Sequence, residues 1–107
     1  MRRPVLQFAQ LMEAKLQQHD HTRGPAGWQQ ELPDYLLDRL DQEVAELRKV
    51  VLARDSAVDV ALEAVDVGNL AMMVMDCYAR PTKRYWGMEE DAEEQMRADL
   101  GIAAEEE

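Results

Sequence analysis

Between Val58 and Val74 the chain is apolar on nearly every side of a helix, and this stretch limits the fold more than any other. At about 100° per residue, Val58, Leu62, Val65, Met72 and Met73 share one side. Val60, Ala64, Val67, Ala71 and Val74 occupy the opposite side. A helix that is apolar all round is normally buried. A chain of 107 residues makes one domain, which buries roughly two thirds of its unfolded surface. Three or four helices barely surround such a segment, so homo-oligomerisation is expected to complete the burial. Asp59, Glu63, Asp66, Asn69 and Asp76 nevertheless fall within roughly one third to two fifths of its circumference. Charges on a buried helix are costly unless they are paired or bound to metal.

The remaining segments are also helical in period. Val5, Phe8, Ala9, Met12 and Leu16 predict a helix over residues 4 to 18, with Pro4 in its first turn. "HDHTRGPAGW" reads as a loop. Leu36, Leu40, Val44, Leu47 and Val51 form the stripe of a second helix, with Pro33 early in it and Arg54 near its end. Asp55 or Ser56 is the expected N-cap of the third helix, which Pro81 stops near Arg80. "MEEDAEEQMRADLG" predicts a weak last helix with Gly101 near its end. No stretch alternates as a β-strand does. The expected fold is all-α: an antiparallel bundle of three main helices plus a weak C-terminal helix. Its domain spans residues 1–87, followed by an acidic helix or tail over 88–107.

Charge narrows the partners. Residues 88–107 hold nine acids against Arg97, so they supply −8 of the net −10 and leave −2 for the rest. That balance argues against nucleic acid, whose phosphates need Lys and Arg. No apolar run reaches the ~18 residues of a membrane span. The basic start "MRRPVLQFAQLMEAKL" is interrupted by Gln, Glu and Lys and does not read as a signal peptide. Cys77 is the single cysteine, so no intrachain disulfide forms. A cytoplasmic chain is the expectation.

Two carboxylate pairs stand out. Glu43 and Glu46 lie three apart on the second helix, and Glu63 and Asp66 repeat that spacing on the third. A short turn near residue 55 makes these helices antiparallel neighbours. Glu46 and Glu63 are then about nine and eight residues from the turn centre, and Glu43 and Asp66 about twelve and eleven. The pairs come out level. Either pair alone suits an ordinary solvated helix face, but two pairs facing each other repel unless a cation lies between them. Oxygen-only ligands favour Mg²⁺, with Mn²⁺ as the alternative, over zinc or copper. A di-iron bundle needs Glu-x-x-His motifs, and His19 and His21 offer none; they read as polar loop groups.

Glu43-x-x-Glu46, then Glu63-x-x-Asp66 with Asn69 one turn on, resembles the MazG family of all-α nucleoside triphosphate pyrophosphohydrolases. "FAQLMEAKL" and Gly27-Trp28 resemble its short, phage-type members, and the likeness covers about residues 5 to 80. It implies Mg²⁺-dependent cleavage of a nucleoside triphosphate between the α- and β-phosphates, by a homodimer or homotetramer. It also implies that Glu43, Glu46, Glu63 and Asp66 are the metal ligands or near-ligands. Of these Glu46, or else Glu43, would deprotonate the attacking water. The related phosphoribosyl-ATP pyrophosphatases carry an upstream Gly-Ser-Tyr-Thr type of stretch that is missing here.

The candidate substrate contacts have plainer readings beside them. Asn69 suits the sugar or a phosphate, or equally the support of a neighbouring carboxylate. Trp28 suits a base, or the core. Arg23 is the nearest base before Gly27-Trp28 and the candidate phosphate contact there. "YARPTKRYWG" gathers Lys83 and Arg84 with aromatics, either to hold a triphosphate or to complement a helix C-terminus. The alternative function is a non-catalytic helical module that binds a nucleotide or protein without turnover.

Overall fold

A computed structural model describes residues 1–23, 27–79 and 92–102. It is all-helical. Helix α1 spans Arg3–Arg23, a 3-10 turn spans Gly27–Gln30, α2 spans Pro33–Leu52, α3 spans Ala57–Ala79 and α4 spans Ala92–Asp99. Among the described residues there is no strand, and no helix is long and apolar enough to cross a membrane. The chain divides into two compact units, Met1–Val74 and Met75–Glu107, with the boundary inside α3.

Helix α1 runs one turn further than its apolar period predicts, so His19–Arg23 are helical rather than loop. None of these residues breaks a helix. The breakers, Gly24 and Pro25, come after them.

Helix α2 begins where Pro33 fixes the backbone of its first turn, with Leu32 extended just before it (φ −76, ψ 142). Asp34 in the first turn and Lys49 in the last complement the helix dipole. Its end is a Schellman motif. The Asp55 N–H donates to the Val50 carbonyl at 3.0 Å, and the Arg54 N–H donates to the Val51 carbonyl at 3.1 Å. This puts Arg54 in the left-handed region at φ 56, a place usually given to glycine. Helix α3 then starts on the Ser56 cap, whose Oγ accepts from the Asp59 N–H at 3.1 Å.

In the first unit the three helices pack together. α1 packs on α3: Phe8 lies against Gly68, and Lys15 reaches Asp66. The approach at Gly68 is close, because a Cβ there would stand 2.6 Å from Phe8 Cε2. Leu36, Val65 and Leu70 are buried, and so is Asn69, 5% exposed. That core is small. α3 is not enclosed by one chain, since Val58 remains 67% and Leu62 41% exposed. Leu6 and Leu11 on α1 and Val51 and Leu52 on α2 are exposed as well.

In the second unit, α4 ends as α2 does. The Ile102 N–H donates to the Arg97 carbonyl at 2.8 Å, the Gly101 N–H donates to Ala98, and Gly101 takes φ 71. Here the left-handed position is held by glycine. Cys77, on the last turns of α3, is buried.

Candidate functional site

The antiparallel turn between α2 and α3 brings three carboxylates together. Oxygens of Glu43, Glu63 and Asp66 all lie within 4.8 Å of one another, and each side chain is half-buried. Glu43 comes from α2 and the other two from adjacent turns of α3. Glu46 is not in this cluster. It is exposed on α2, though its charge still reaches Glu63. An α-helix turns about 300° over three residues, so Glu46 lies on the flank of the stripe while Glu43 faces α3.

Glu63 registers the crowding. Its pKa is raised, first by burial and then by the charges of Glu43 and Asp66, with a hydrogen bond to the Glu43 carboxyl and the charge of Glu46 adding to the effect.

Two cations flank the cluster. Lys15 Nζ donates to Asp66 Oδ1 at 2.7 Å, with side chains 22% and 25% exposed. Arg39 contacts Glu43 more loosely at 3.5 Å, one turn earlier on the same helix. Glu63 has no cation partner among the described residues.

A cavity of about 280 Å³ opens beside the carboxylates, near the lower end of ligand-sized pockets. Lys15, Glu43, Asp66, Trp28, Tyr35, Leu36 and Met73 are among the residues that line it, so charged, aromatic and apolar side chains share its surface. Asn69 lines it as well. Its Nδ2 donates to the Met12 carbonyl at 3.3 Å, which fixes the amide orientation. Its Oδ1 is then left buried with no partner among the described residues. A buried acceptor without a donor is costly.

No family model, curated protein or solved structure matches this chain. Its site is therefore read from its own residues.

Of the residues singled out in the sequence, Glu43, Glu63 and Asp66 converge, and Asn69 and Trp28 line the cavity next to them. Arg23 is the last residue of α1. Lys83 and Arg84 lie outside the described residues. His19, on α1, also borders the cavity. Lys15 and Arg39 were not among the candidates. The signal for Lys15 was its helical position, about 20° from Phe8 and 60° from Met12 on the packed face of α1.

The donor set suits a hard divalent cation. It offers only oxygens, it repels itself when empty of charge compensation, and the unpartnered Asn69 Oδ1 lies one turn away.

Proposed function

We propose that this chain is a Mg²⁺-dependent nucleoside triphosphate pyrophosphohydrolase of MazG type, converting a (d)NTP to (d)NMP and pyrophosphate. The observation that carries this reading is the convergence of Glu43, Glu63 and Asp66, two of which, Glu43 and Asp66, line a cavity together with the aromatic Trp28 and Tyr35. A nucleotide joins the same two chemistries, a polyphosphate for a cation site and a base for aromatic side chains.

Glu43, Glu63 and Asp66 would hold Mg²⁺, or Mn²⁺ in its place. When bound, such an ion neutralises phosphate charge and makes water more acidic. Glu46, solvent-facing and next to Glu63, accepts the proton of the attacking water. The water oxygen bonds to the α-phosphorus, the bridge to the β-phosphate breaks, and pyrophosphate leaves with the bridging oxygen. Asn69, which lines the cavity, is proposed to meet the sugar. Trp28 and Tyr35 offer aromatic faces to the base. Arg23 is proposed to contact the phosphates. The exposed apolar residues of α1, α2 and α3 support assembly as a homodimer or homotetramer.

The Lys15–Asp66 pair favours a second reading. A lysine that permanently replaces the metal would leave a bundle that binds nucleotides without turnover. A panel of NTPs and dNTPs with Mg²⁺, assayed for phosphate with and without added pyrophosphatase, separates the two. Phosphate that appears only with the added enzyme supports the hydrolase; none in either arm supports the binding module.

A further inference from the structure

We propose that Lys15 is an exchangeable counter-ion. It neutralises Asp66 while the carboxylates hold no divalent cation, and it transfers to the polyphosphate of the substrate once one is bound. This rests on the triphosphate reading above and adds a residue that the acidic motifs do not contain.

The charges at the cluster are the reason. Three carboxylates face two cations, Lys15 and Arg39, a net of −1 for these five groups. A divalent ion among the carboxylates turns that into +1. Asp66 then has a closer and stronger cation, and Lys15 loses its advantage there. Lys15 already lines the cavity that the polyphosphate would enter. Its ammonium carries three donors on a flexible four-carbon stem, which suits phosphate as a point charge and allows reorientation without backbone movement. Neither partner of the pair is locked in the core, at 22% and 25% exposed. Arg39 is less suited to this exchange, because its contact with Glu43 is longer and lies within one helix.

A lysine that merely ties α1 to α3 would behave differently. Its loss would loosen the site for every ligand. An exchangeable counter-ion has opposite effects on its two ligands: without it the metal binds more tightly and the polyanion more weakly.

The test uses the full chain as wild type, Lys15→Met and Lys15→Arg, with Lys15→Gln in reserve should the methionine variant not fold. Free Mn²⁺ is followed by electron paramagnetic resonance to obtain metal affinity. Binding of inorganic tripolyphosphate to the Mn²⁺-loaded protein is then measured by calorimetry. Removing the lysine charge should tighten Mn²⁺ by about two- to fivefold, the scale of a solvent-accessible ion pair. It should weaken tripolyphosphate by about tenfold, the scale of one hydrogen bond between charged groups. Lys15→Arg should stay near wild type in both. Mn²⁺ affinity that is unchanged or weaker without the lysine, or unchanged tripolyphosphate binding, overturns the exchange while leaving the metal site intact. A wild-type chain that binds no Mn²⁺ overturns the metal site itself, and the exchange with it.

Discussion

Lys15 and Asp66 are 51 positions apart in the chain and 2.7 Å apart in the fold. The contact joins the first helix to the third at the edge of the carboxylate cluster, so α1 belongs to the site as well as to the core. Gly68 makes this possible, since the absence of a side chain lets Phe8 and its neighbours come down onto α3. Gly68→Val should push α1 outward and cost about 1–3 kcal/mol, the usual penalty for overpacking. Metal binding should weaken in parallel. Chemical denaturation with and without Mn²⁺ checks both, and a fully wild-type response would remove α1 from the site.

The crowding at Glu63 has a pH signature. An acid whose pKa is raised by folding holds its proton longer in the folded state than in the unfolded one. Its contribution is full below the ordinary carboxylate value and is lost as pH rises through the raised value. Metal-free wild type should therefore lose stability over that interval, and Glu63→Gln should lose less. At neutral pH the variant should be as stable as wild type or more so, while stabilisation by Mg²⁺ largely disappears. Denaturant titrations in EDTA at about pH 5 and about pH 8 test the sign. Parallel profiles for the two proteins would contradict it.

Asn69 ties α3 to α1 through its Nδ2 and, in the proposed function, also meets the substrate. Asn69→Ala leaves the Met12 carbonyl without its donor and should cost about 1–2 kcal/mol in stability. It should also raise KM for the nucleotide by about tenfold. Asn69→Asp keeps the acceptor but loses the donor to Met12, so its KM should suffer less than its stability. Steady-state kinetics beside thermal melts separate the two roles.

Much of the fold could be read from local chemistry. Pro33 announced α2, Ser56 capped α3, and Gly101 closed α4, each through a backbone requirement that its own residue type meets. The end of α1 could not be read this way, because Gly24 and Pro25 lent their loop character to the helical residues before them. The triad was legible because a short turn ties the registers of α2 and α3 together. The level pairing put Glu46 in the cage as well, but the helical twist leaves it on the exposed flank. Lys15 was hidden for a different reason. No short turn links α1 to α3, so nothing in the sequence fixes their register.

Arg54 adopts a left-handed conformation that costs a residue with a side chain about 1–2 kcal/mol. Glycine is freer there but loses more entropy on folding. Arg54→Gly should therefore stabilise the protein by a net amount of about 0.5–1 kcal/mol, raising Tm by a few degrees without altering turnover. Calorimetry checks this, and a destabilised variant would show that the arginine side chain makes a compensating contact.

Val58 and Leu62 at the start of α3 and Val51 and Leu52 at the end of α2 are exposed apolar residues on the two sides of one turn, a surface that a second copy could cover. The chain should be a homo-oligomer at micromolar concentration, and Val58→Asp with Leu62→Asp should shift it toward monomer. Light scattering decides. A wild-type mass near 12.3 kDa would contradict the expectation.

The central claim is that Glu43, Glu63 and Asp66 form the metal centre of a pyrophosphohydrolase. Phosphorus NMR of a (d)NTP turnover with Mg²⁺, for wild type beside Asp66→Asn, tests it most directly. Wild type should give nucleoside monophosphate and pyrophosphate as the first products. Asp66→Asn should lose about a hundredfold or more of that rate, equivalent to about 2.7 kcal/mol of barrier. Orthophosphate as the first product, or near-wild-type turnover by Asp66→Asn, would contradict the claim.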